Sequence, residues 1–326
     1  MRRPVTAADV VLEDGASRLL RVRGGGRGPA VLLVPSMLQR WYILDLIEGA
    51  SLAGAMIDEN LQVFVLDWGA LGEERWLDWD HAVGRLARAL RRLTRTPGVE
   101  RAALVGYSQG ATLAAVAAAL DPDRVSALVD IAGPIDFGVA GVLSPLTDRR
   151  LCDADLLADA GGVPAGAFRA MIAALHPGAT ALSTLSAFAH PDVRTRAVFA
   201  ALERWADDPV QLPPEVLRVW VKRLYQDNAL VARRLSVSGR KVELGRITAP
   251  TLVVTAERDT ICPPESATAL LAHVSARTRE HFSVPGGHVS GVAGPASGEL
   301  LHRPLARWLH EHAHTAAAPS AYQEER

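Results

Sequence analysis

The chain has 326 residues, of which 49% are hydrophobic and 22% are charged, and its formal net charge is −1. Without a long basic run, this near-neutral balance argues against a nucleic-acid partner, and two cysteines (Cys152 and Cys262) form neither a disulfide framework nor a zinc pattern. No signal peptide and no stretch long enough for a membrane span is visible, so we expect a cytoplasmic protein.

The first 137 residues alternate short apolar runs with amphipathic patterns. The apolar runs predict strands at Val10–Leu12, Leu19–Val22, Ala30–Val34, Leu61–Leu66, Ala102–Val105 and Val125–Ile131. The amphipathic patterns predict helices at Leu44–Ile57, Asp80–Leu93 and Ala111–Leu120. Such alternation favours an α/β fold with a mostly parallel sheet and helices on both of its faces. We therefore assign residues 1–137 to the first part of a core domain.

Helical patterns replace the strands over residues 138–238, which we interpret as an inserted helical cap. The predicted cap helices are Asp153–Ala160, Pro164–Leu175, Thr195–Ala206 and Pro214–Asn228. Strands resume at Thr251–Val254 and Glu280–Val284 and a helix closes the core at Leu300–His312, so residues 239–314 form its second part. Residues 315–326 are small and polar, and we expect a flexible tail.

The segment Gly106-Tyr107-Ser108-Gln109-Gly110 lies between a predicted strand and a predicted helix. A Gly-x-Ser-x-Gly motif in that context is typical of a nucleophile turn, in which the backbone at the serine is strained and its flanking glycines make room. The alternative is an ordinary strand-to-helix turn with a small polar residue. The motif predicts Ser108 as a catalytic nucleophile in an α/β-hydrolase fold.

A serine hydroxyl needs a base and an acid that orients the base, and in this fold they follow the serine in the order acid, then histidine. Asp259 follows the strand Thr251–Val254, and His288 follows the last predicted strand after two glycines. Both lie at carboxyl ends of strands, where open α/β sheets place their sites. The acid has two alternatives, Asp136 after the strand ending at Ile131, and Glu257 by a small shift in register.

The remaining polar candidates receive structural interpretations. Asp67 precedes the serine in the chain and is better explained as structural. The histidines near the C-terminus include an i,i+4 pair, His310 and His314, but the pair adjoins the segment expected to be flexible and we interpret it as adventitious, so we expect no metal and no cofactor. Two backbone N–H groups are needed for the oxyanion, one from Gln109 and one from the loop after the third strand, where Met37 is favoured and Leu38 is the alternative.

Several segments together resemble one family, the polyhydroxyalkanoate synthases. The matching segments are Trp41-Tyr42-Ile43-Leu44-Asp45-Leu46, Phe64-Val65-Leu66-Asp67-Trp68-Gly69, the box around Ser108, Pro134-Ile135-Asp136-Phe137 and Tyr225 to Leu230. Asp259 and His288 fall where that family keeps its acid and base. The resemblance implies an α/β-hydrolase fold with a cap, an acyl ester or acyl-CoA substrate, and a homodimer.

Two positions depart from the family. The synthases use cysteine as nucleophile where this chain has Ser108, and Thr260 stands where they usually have histidine. A serine forms an oxygen ester, which favours hydrolysis over repeated thioester exchange. Cys262 lies outside the nucleophile turn, and we interpret it as a packing residue.

Three functions follow from these observations. The first is a serine hydrolase that acts on ester or thioester acyl groups, such as hydroxyacyl groups, through an acyl-enzyme. The second is a polyhydroxyalkanoate synthase that uses 3-hydroxyacyl-CoA, with apolar cap residues lining an acyl channel or, by the simpler interpretation, forming the cap core. These cap residues are Leu185, Phe188, Phe199, Leu202 and Trp205. The third is a non-catalytic granule- or partner-binding protein of the same fold.

Overall fold

The computed structural model describes residues 5–167, 170 and 190–313, and its central feature is an eight-stranded sheet. In chain order, the sheet strands are β1 (Ala8–Asp14), β2 (Ser17–Val22), β3 (Ala30–Val34), β6 (Gln62–Asp67), β7 (Ala102–Tyr107), β8 (Val125–Ile131), β11 (Thr251–Ala256) and β12 (Arg279–Val284). Two short hairpins lie outside the sheet, formed by β4 (Asp45–Ile47) with β5 (Ala50–Ser51) and by β9 (Ser236–Val237) with β10 (Arg240–Lys241).

The sheet is mostly parallel. Its strand order is β1-β2-β6-β3-β7-β8-β11-β12, and all pairs from β6 to β12 are parallel, whereas β1 and β2 join antiparallel. Every residue of β3, β7, β8 and β11 is buried, which requires cover on both faces of the sheet. The predicted α/β architecture is confirmed.

The helices of the described residues surround this sheet. They are α1 (Leu52–Asp58), α2 (Trp79–Leu93), α3 (Gln109–Leu120), α4 (Ala154–Asp159), α5 (Val193–Ala206), α6 (Pro214–Val219), α7 (Pro264–His273), α8 (Ser290–Ala293) and α9 (Arg303–His312). Short 3-10 helices span Trp41–Leu44, Leu71–Glu73, Pro122–Arg124, Gly141–Thr147 and Leu244–Arg246, and π-helical segments span Trp220–Gln226 and Gly298–His302.

Alternate residues of the central strands enter two apolar layers. Leu104 of β7 packs in one layer with side chains of α2, α3 and α7, whereas its neighbour Val105 packs in the other with side chains of α1 and α9. Because successive strand side chains point to opposite faces, one apolar run serves both layers. This double burial holds the carboxyl ends of β7, β8 and β11 side by side.

The predicted helix Leu44–Ile57 is wrong in its first half. Asp45 is fully buried, and its carboxylate accepts hydrogen bonds from the Thr6 N–H (2.9 Å) and the Ser51 hydroxyl (2.6 Å). Gly49 turns the chain with a φ of 78°, and Ser51 then caps α1 by accepting from the Gly54 N–H at 2.7 Å. Satisfying a buried carboxylate therefore outweighs the helical pattern, and the helix begins only at Leu52.

The other predicted elements agree to within a few residues where the structure describes them. The pattern at Pro214–Asn228 begins as α6 but continues as a π-helical segment that ends at Gln226. Likewise, the closing helix is preceded by a π-helical segment. Pro164–Leu175 lies mostly outside the described residues, and residues 315–326 lie wholly outside them.

Between β8 and β11, the described residues form mainly helices, and several contacts join them to the loop after β3. Gln39 forms an antiparallel bridge with Pro209, and the indole N–H of Trp205 donates to the Arg40 carbonyl at 2.8 Å. The division into core and cap at residues 138 and 238 stays a prediction. No helix in the described ranges is long and apolar enough to cross a membrane.

Candidate active site

Ser108 lies at a sharp turn between β7 and α3. Its backbone adopts φ 55° and ψ −127°, a strained conformation for a residue with a side chain. A Cβ at Gly106 would lie 2.2 Å from the Ala111 Cα, and one at Gly110 would lie 1.9 Å from the Val34 carbonyl oxygen. The turn therefore requires glycine at both flanking positions, as the motif predicts.

The structure brings together Ser108, His288 and Asp259, although they are far apart in the chain. The Ser108 Oγ lies 2.9 Å from the Nε2 of His288, and the Nδ1 of His288 lies 2.7 Å from the Oδ2 of Asp259. Ser108 follows β7, Asp259 follows β11 and His288 follows β12. A continuous series of hydrogen bonds thus runs from a serine hydroxyl to a carboxylate at one edge of the sheet.

Asp259 is held by the backbone of its own loop. Its side chain is fully buried, and its Oδ1 accepts from the N–H groups of Ile261 (2.9 Å) and Cys262 (2.8 Å). The other oxygen, Oδ2, faces His288. These donors fix the plane of the carboxylate, so its orientation toward the imidazole is set before any substrate binds.

The alternative carboxylates make other contacts. The Oδ1 of Asp136 accepts from the Asn228 side-chain amide at 2.7 Å, Glu257 is exposed, and Asp67 pairs with Arg18 at 2.6 Å. Among the acids considered from the sequence, the hydrogen bond to the His288 ring comes from Asp259. The geometry therefore favours Asp259 as the partner of His288.

The two loops predicted to hold an oxyanion are connected through Ser36, which the sequence analysis did not single out. The Ser36 hydroxyl donates to the Oε1 of the buried Gln109 side chain at 3.2 Å, and the Leu38 N–H donates to the Ser36 Oγ at 3.2 Å. The side chain of Met37 is fully buried. Ser36 thus fixes the loop after β3 against the start of α3.

A second residue missed from the sequence is Tyr107, directly before the serine. Its hydroxyl donates to the His288 carbonyl at 3.1 Å, and its ring stacks on the His288 imidazole with 5.5 Å between centroids. Its position in the motif directly before Ser108 was visible in the sequence, but its contact with a residue 181 positions away was not.

A cavity of about 380 Å³ opens at Ser108 and His288. Most of its lining is apolar, including Leu38, Leu143, Leu157, Trp205, Trp220 and Ile261. Of the residues considered for an acyl channel, Trp205 lines the cavity, Phe199 and Leu202 pack in an apolar layer, and Leu185 and Phe188 lie outside the described residues. The cavity suits an apolar chain attached to a polar reactive group.

Cys262 also lines the cavity, but it is not arranged as a nucleophile. Its side chain is buried, and burial holds the pKa of the Cys262 thiol well above its ordinary value, with the nearby Asp259 carboxylate acting in the same direction. The protonated thiol is the unreactive form. Within the parts of the chain that the structure describes, no group of three or more His, Cys, Asp and Glu side chains is arranged to hold a metal ion.

Comparison with known proteins gives a consistent result. Residues 29–295 match the family model described as alpha/beta hydrolase fold. The chain is 30% identical over 296 residues to the poly(3-hydroxyalkanoate) polymerase subunit PhaC of Synechocystis sp., covering 86% of this chain and 77% of the relative. It is 28% identical to the PhaC subunit of Allochromatium vinosum, covering 86% of this chain and 80% of that relative.

Among solved structures, the fold is similar to the monoacylglycerol lipase of Paleococcus ferrophilus, with a TM-score of 0.56, 19% identity, and coverage of 91% of this chain and 98% of that one. It is also similar to the 2-hydroxy-6-oxo-6-phenylhexa-2,4-dienoate hydrolase of Rhodococcus sp., with a TM-score of 0.55, 17% identity, and coverage of 94% and 98%. At such identities the similarity concerns the fold alone. The chain therefore belongs to the alpha/beta hydrolase fold family, among the relatives of the PhaC polymerase subunits, and is an enzyme of the hydrolase or acyltransferase class.

Proposed function

We propose that this chain transfers acyl groups from esters or thioesters through a covalent acyl-enzyme on Ser108. The observation that carries the proposal is the hydrogen-bonded series of Ser108, His288 and Asp259 at the wall of an apolar cavity. This arrangement is the one that activates a serine for attack on a carbonyl carbon.

Each of the three side chains has one role. The Ser108 Oγ attacks the acyl carbonyl carbon while His288 Nε2 accepts the hydroxyl proton, and Asp259 keeps the Nδ1 proton of the imidazole in place. The tetrahedral intermediate then expels its alcohol or thiol, which takes the proton from Nε2. An acceptor hydroxyl, of water or of another molecule, releases the acyl group by the same steps in reverse.

The oxyanion is assigned to two backbone N–H groups, those of Gln109 and Met37. Gln109 is the first residue of α3, where unpaired N–H groups and the positive end of the helix dipole are directed at the turn. The Leu38 N–H already donates to Ser36, which favours Met37 over Leu38 as the second donor.

Two acceptors lead to two candidate functions. Hydrolysis is favoured by the serine, since its oxygen ester is released by water with base assistance. Polymer transfer is favoured by the PhaC relatives, whose names describe poly(3-hydroxyalkanoate) polymerases. Both use hydroxyacyl groups supplied as esters or as acyl-CoA. A homodimer and a cytoplasmic location also remain predictions.

The test incubates the purified protein with 3-hydroxybutyryl-CoA and with soluble 3-hydroxybutyrate oligomers, and mass spectrometry follows thiol release and product size. Release of free hydroxy acid by the wild type, at a rate that falls about 10³-fold or more in Ser108→Ala, identifies a hydrolase. Oligomers that lengthen with time identify polymer transfer.

Ser108→Cys is the matched variant, because it keeps the geometry and changes only the nucleophile. If serine directs the reaction toward water, Ser108→Cys gives a higher ratio of transfer to hydrolysis than the wild type. Turnover that survives in Ser108→Ala, or no reaction with any acyl probe, would overturn the assignment and favour a binding function.

A further inference from the structure

Tyr107 belongs to the central sheet, and its side chain contacts His288. It occupies the last position of β7, between the parallel neighbours β3 and β8, and is only 2% exposed. Its hydroxyl donates to the His288 carbonyl at 3.1 Å. The loop that carries His288 is therefore attached by a side chain to the strand that carries Ser108.

The ring of Tyr107 also faces the imidazole of His288. The two rings are stacked, with centroids 5.5 Å apart and planes inclined by 29°. The face of an aromatic ring attracts a cation within about 6 Å, and His288 becomes an imidazolium when it accepts the Ser108 proton. Burial raises the pKa of Tyr107 well above its ordinary value, so the phenol remains neutral and acts through its ring face and its O–H.

We propose that Tyr107 is a positioning residue for His288 with two separable actions. Its hydroxyl holds the backbone of the histidine loop, and its ring stabilises the imidazolium formed during acyl transfer. The inference rests on the proposed function, since it concerns the base of that reaction. Tyr107 is thus a fourth side chain of the site, in addition to Ser108, Asp259 and His288, which the sequence analysis predicts.

The charged and hydrogen-bonding groups near His288 come from several elements, and the cavity that His288 lines is also lined by the charged residues Arg40 and Glu203. Asp259, from the loop after β11, faces Nδ1, and Ser108 faces Nε2. Arg258 joins the loop after β11 to the loop that carries His288, because its backbone N–H donates to the Gly286 carbonyl. The side chain of Arg258 is exposed. Asp259 is therefore the charged partner of the imidazole, and substitutions at Tyr107 leave it in place.

The experiment compares Tyr107→Phe with Tyr107→Leu in kcat and in the pH dependence of kcat/KM for p-nitrophenyl butyrate. Tyr107→Phe keeps the ring and loses the hydroxyl, so we expect kcat to fall about tenfold with the acid limb at its wild-type pH. Tyr107→Leu loses both, so we expect kcat to fall about 100-fold and the acid limb to move about half a pH unit lower. The direction follows because a less stabilised imidazolium releases its proton at lower pH.

The control is Tyr42→Phe, which removes a hydroxyl that donates a hydrogen bond to Asp208. Neither Tyr42 nor Asp208 lines the cavity. A merely structural role predicts a lower unfolding midpoint for the Tyr107 variants with an unmoved acid limb, and that result would overturn the proposal. Equal acid limbs in the wild type and Tyr107→Leu would do the same. If Tyr107→Leu does not fold, Tyr107→Met provides the same test.

An NMR titration of the His288 imidazole separates this inference from the proposed function. In a Ser108→Ala background, Tyr107→Leu is expected to lower the titration midpoint by about half a pH unit, whatever substrates the protein accepts. An unshifted midpoint overturns the role of Tyr107 even if acyl transfer is confirmed. A shifted midpoint supports it even if no acyl substrate is turned over.

Discussion

At the scale of single residues, the candidate site depends on groups that hold the reacting side chains in place. The Oδ1 of Asp259 is occupied by two backbone N–H groups, which leaves Oδ2 to accept from the imidazole. Only the tautomer with its proton on Nδ1 satisfies this arrangement, and that tautomer presents a free Nε2 lone pair to Ser108. One carboxylate thus determines which imidazole nitrogen presents its lone pair to Ser108.

Asp259→Asn tests this role. The asparagine oxygen is expected to keep the two backbone N–H bonds, so its NH₂ group faces His288 Nδ1 and forces the imidazole into the other tautomer. We expect kcat to fall by about 10³- to 10⁴-fold with little change in the unfolding midpoint. Steady-state kinetics and thermal unfolding measure the two effects. A kcat within tenfold of the wild type would contradict this role for Asp259.

At the scale of elements, the turn between β7 and α3 determines where Ser108, the candidate nucleophile, lies. The helix is buried on nearly all sides, and its start approaches the end of β3 so closely that only glycine fits at position 110. The same approach places the Gln109 side chain beside Ser36. The strained backbone of Ser108 is therefore maintained by the packing of three elements against one another.

Gly110→Ala tests this packing. The added Cβ would lie 1.9 Å from the Val34 carbonyl oxygen, and both partners belong to backbone that cannot rotate away. We expect the free energy of unfolding to fall by about 2 kcal/mol or more, and acyl transfer to fall with it because the turn must shift. Urea unfolding and kcat/KM measure these losses.

Gly84→Ala provides the matched control. Gly84 lies within α2, and a Cβ there meets only the flexible end of the Arg88 side chain, at 3.2 Å. Alanine in a helix interior is favoured over glycine, so we expect a gain of about 0.5–1 kcal/mol. If both variants were equally stable, the close approach at Gly110 would not be responsible for any loss.

At the scale of the whole molecule, the C-terminal region is connected to the segment that follows His288, the candidate catalytic base. His302 is buried just before α9, and its Nε2 donates to the Val292 carbonyl of α8 at 2.7 Å. Burial lowers the pKa of His302 to about 4 from its ordinary value of 6.5, although the hydrogen bond to Val292 opposes this. The folded protein therefore holds this imidazole in its neutral form.

Stability should consequently decrease in mild acid. Between pH 6.5 and about 4, the unfolded chain binds a proton at His302 that the folded protein excludes. The neutral His302 therefore leaves the free energy of unfolding at its full value above pH 6.5. As the pH falls toward 4, this free energy decreases by up to about 3 kcal/mol. Urea unfolding at a series of pH values measures the loss.

His302→Gln removes the titrating group and retains an N–H donor for Val292, so this variant should lose less stability over the same pH range. His281→Gln, at an exposed position on β12, is the control and should follow the wild type. A wild-type pH dependence in His302→Gln would exclude His302 as the source.

Much of the fold and of the site was predictable from the sequence. The apolar runs that became β3, β7, β8 and β11 are local signals, because a strand buried on both faces needs apolar residues throughout. The glycine spacing around Ser108 is also local. The positions of Asp259 and His288 at strand ends followed from the template order, since parallel strands end at one edge.

Other features depend on partners distant in the chain and left no local signal. The helical pattern at Leu44–Ile57 was wrong in its first half because the buried Asp45 accepts hydrogen bonds from Thr6 and Ser51 in a short hairpin. The stacking of Tyr107 on His288 and the contact of Ser36 with Gln109 also join residues that are distant in the chain. The sequence alone therefore determined the buried strands, the nucleophile turn and the candidate serine and histidine, because periodicity, glycine spacing and position at a strand end reflect local constraints. Only the tertiary structure decided which carboxylate faces the histidine and what holds that histidine, because buried polar groups take their partners from whichever segment packing brings near.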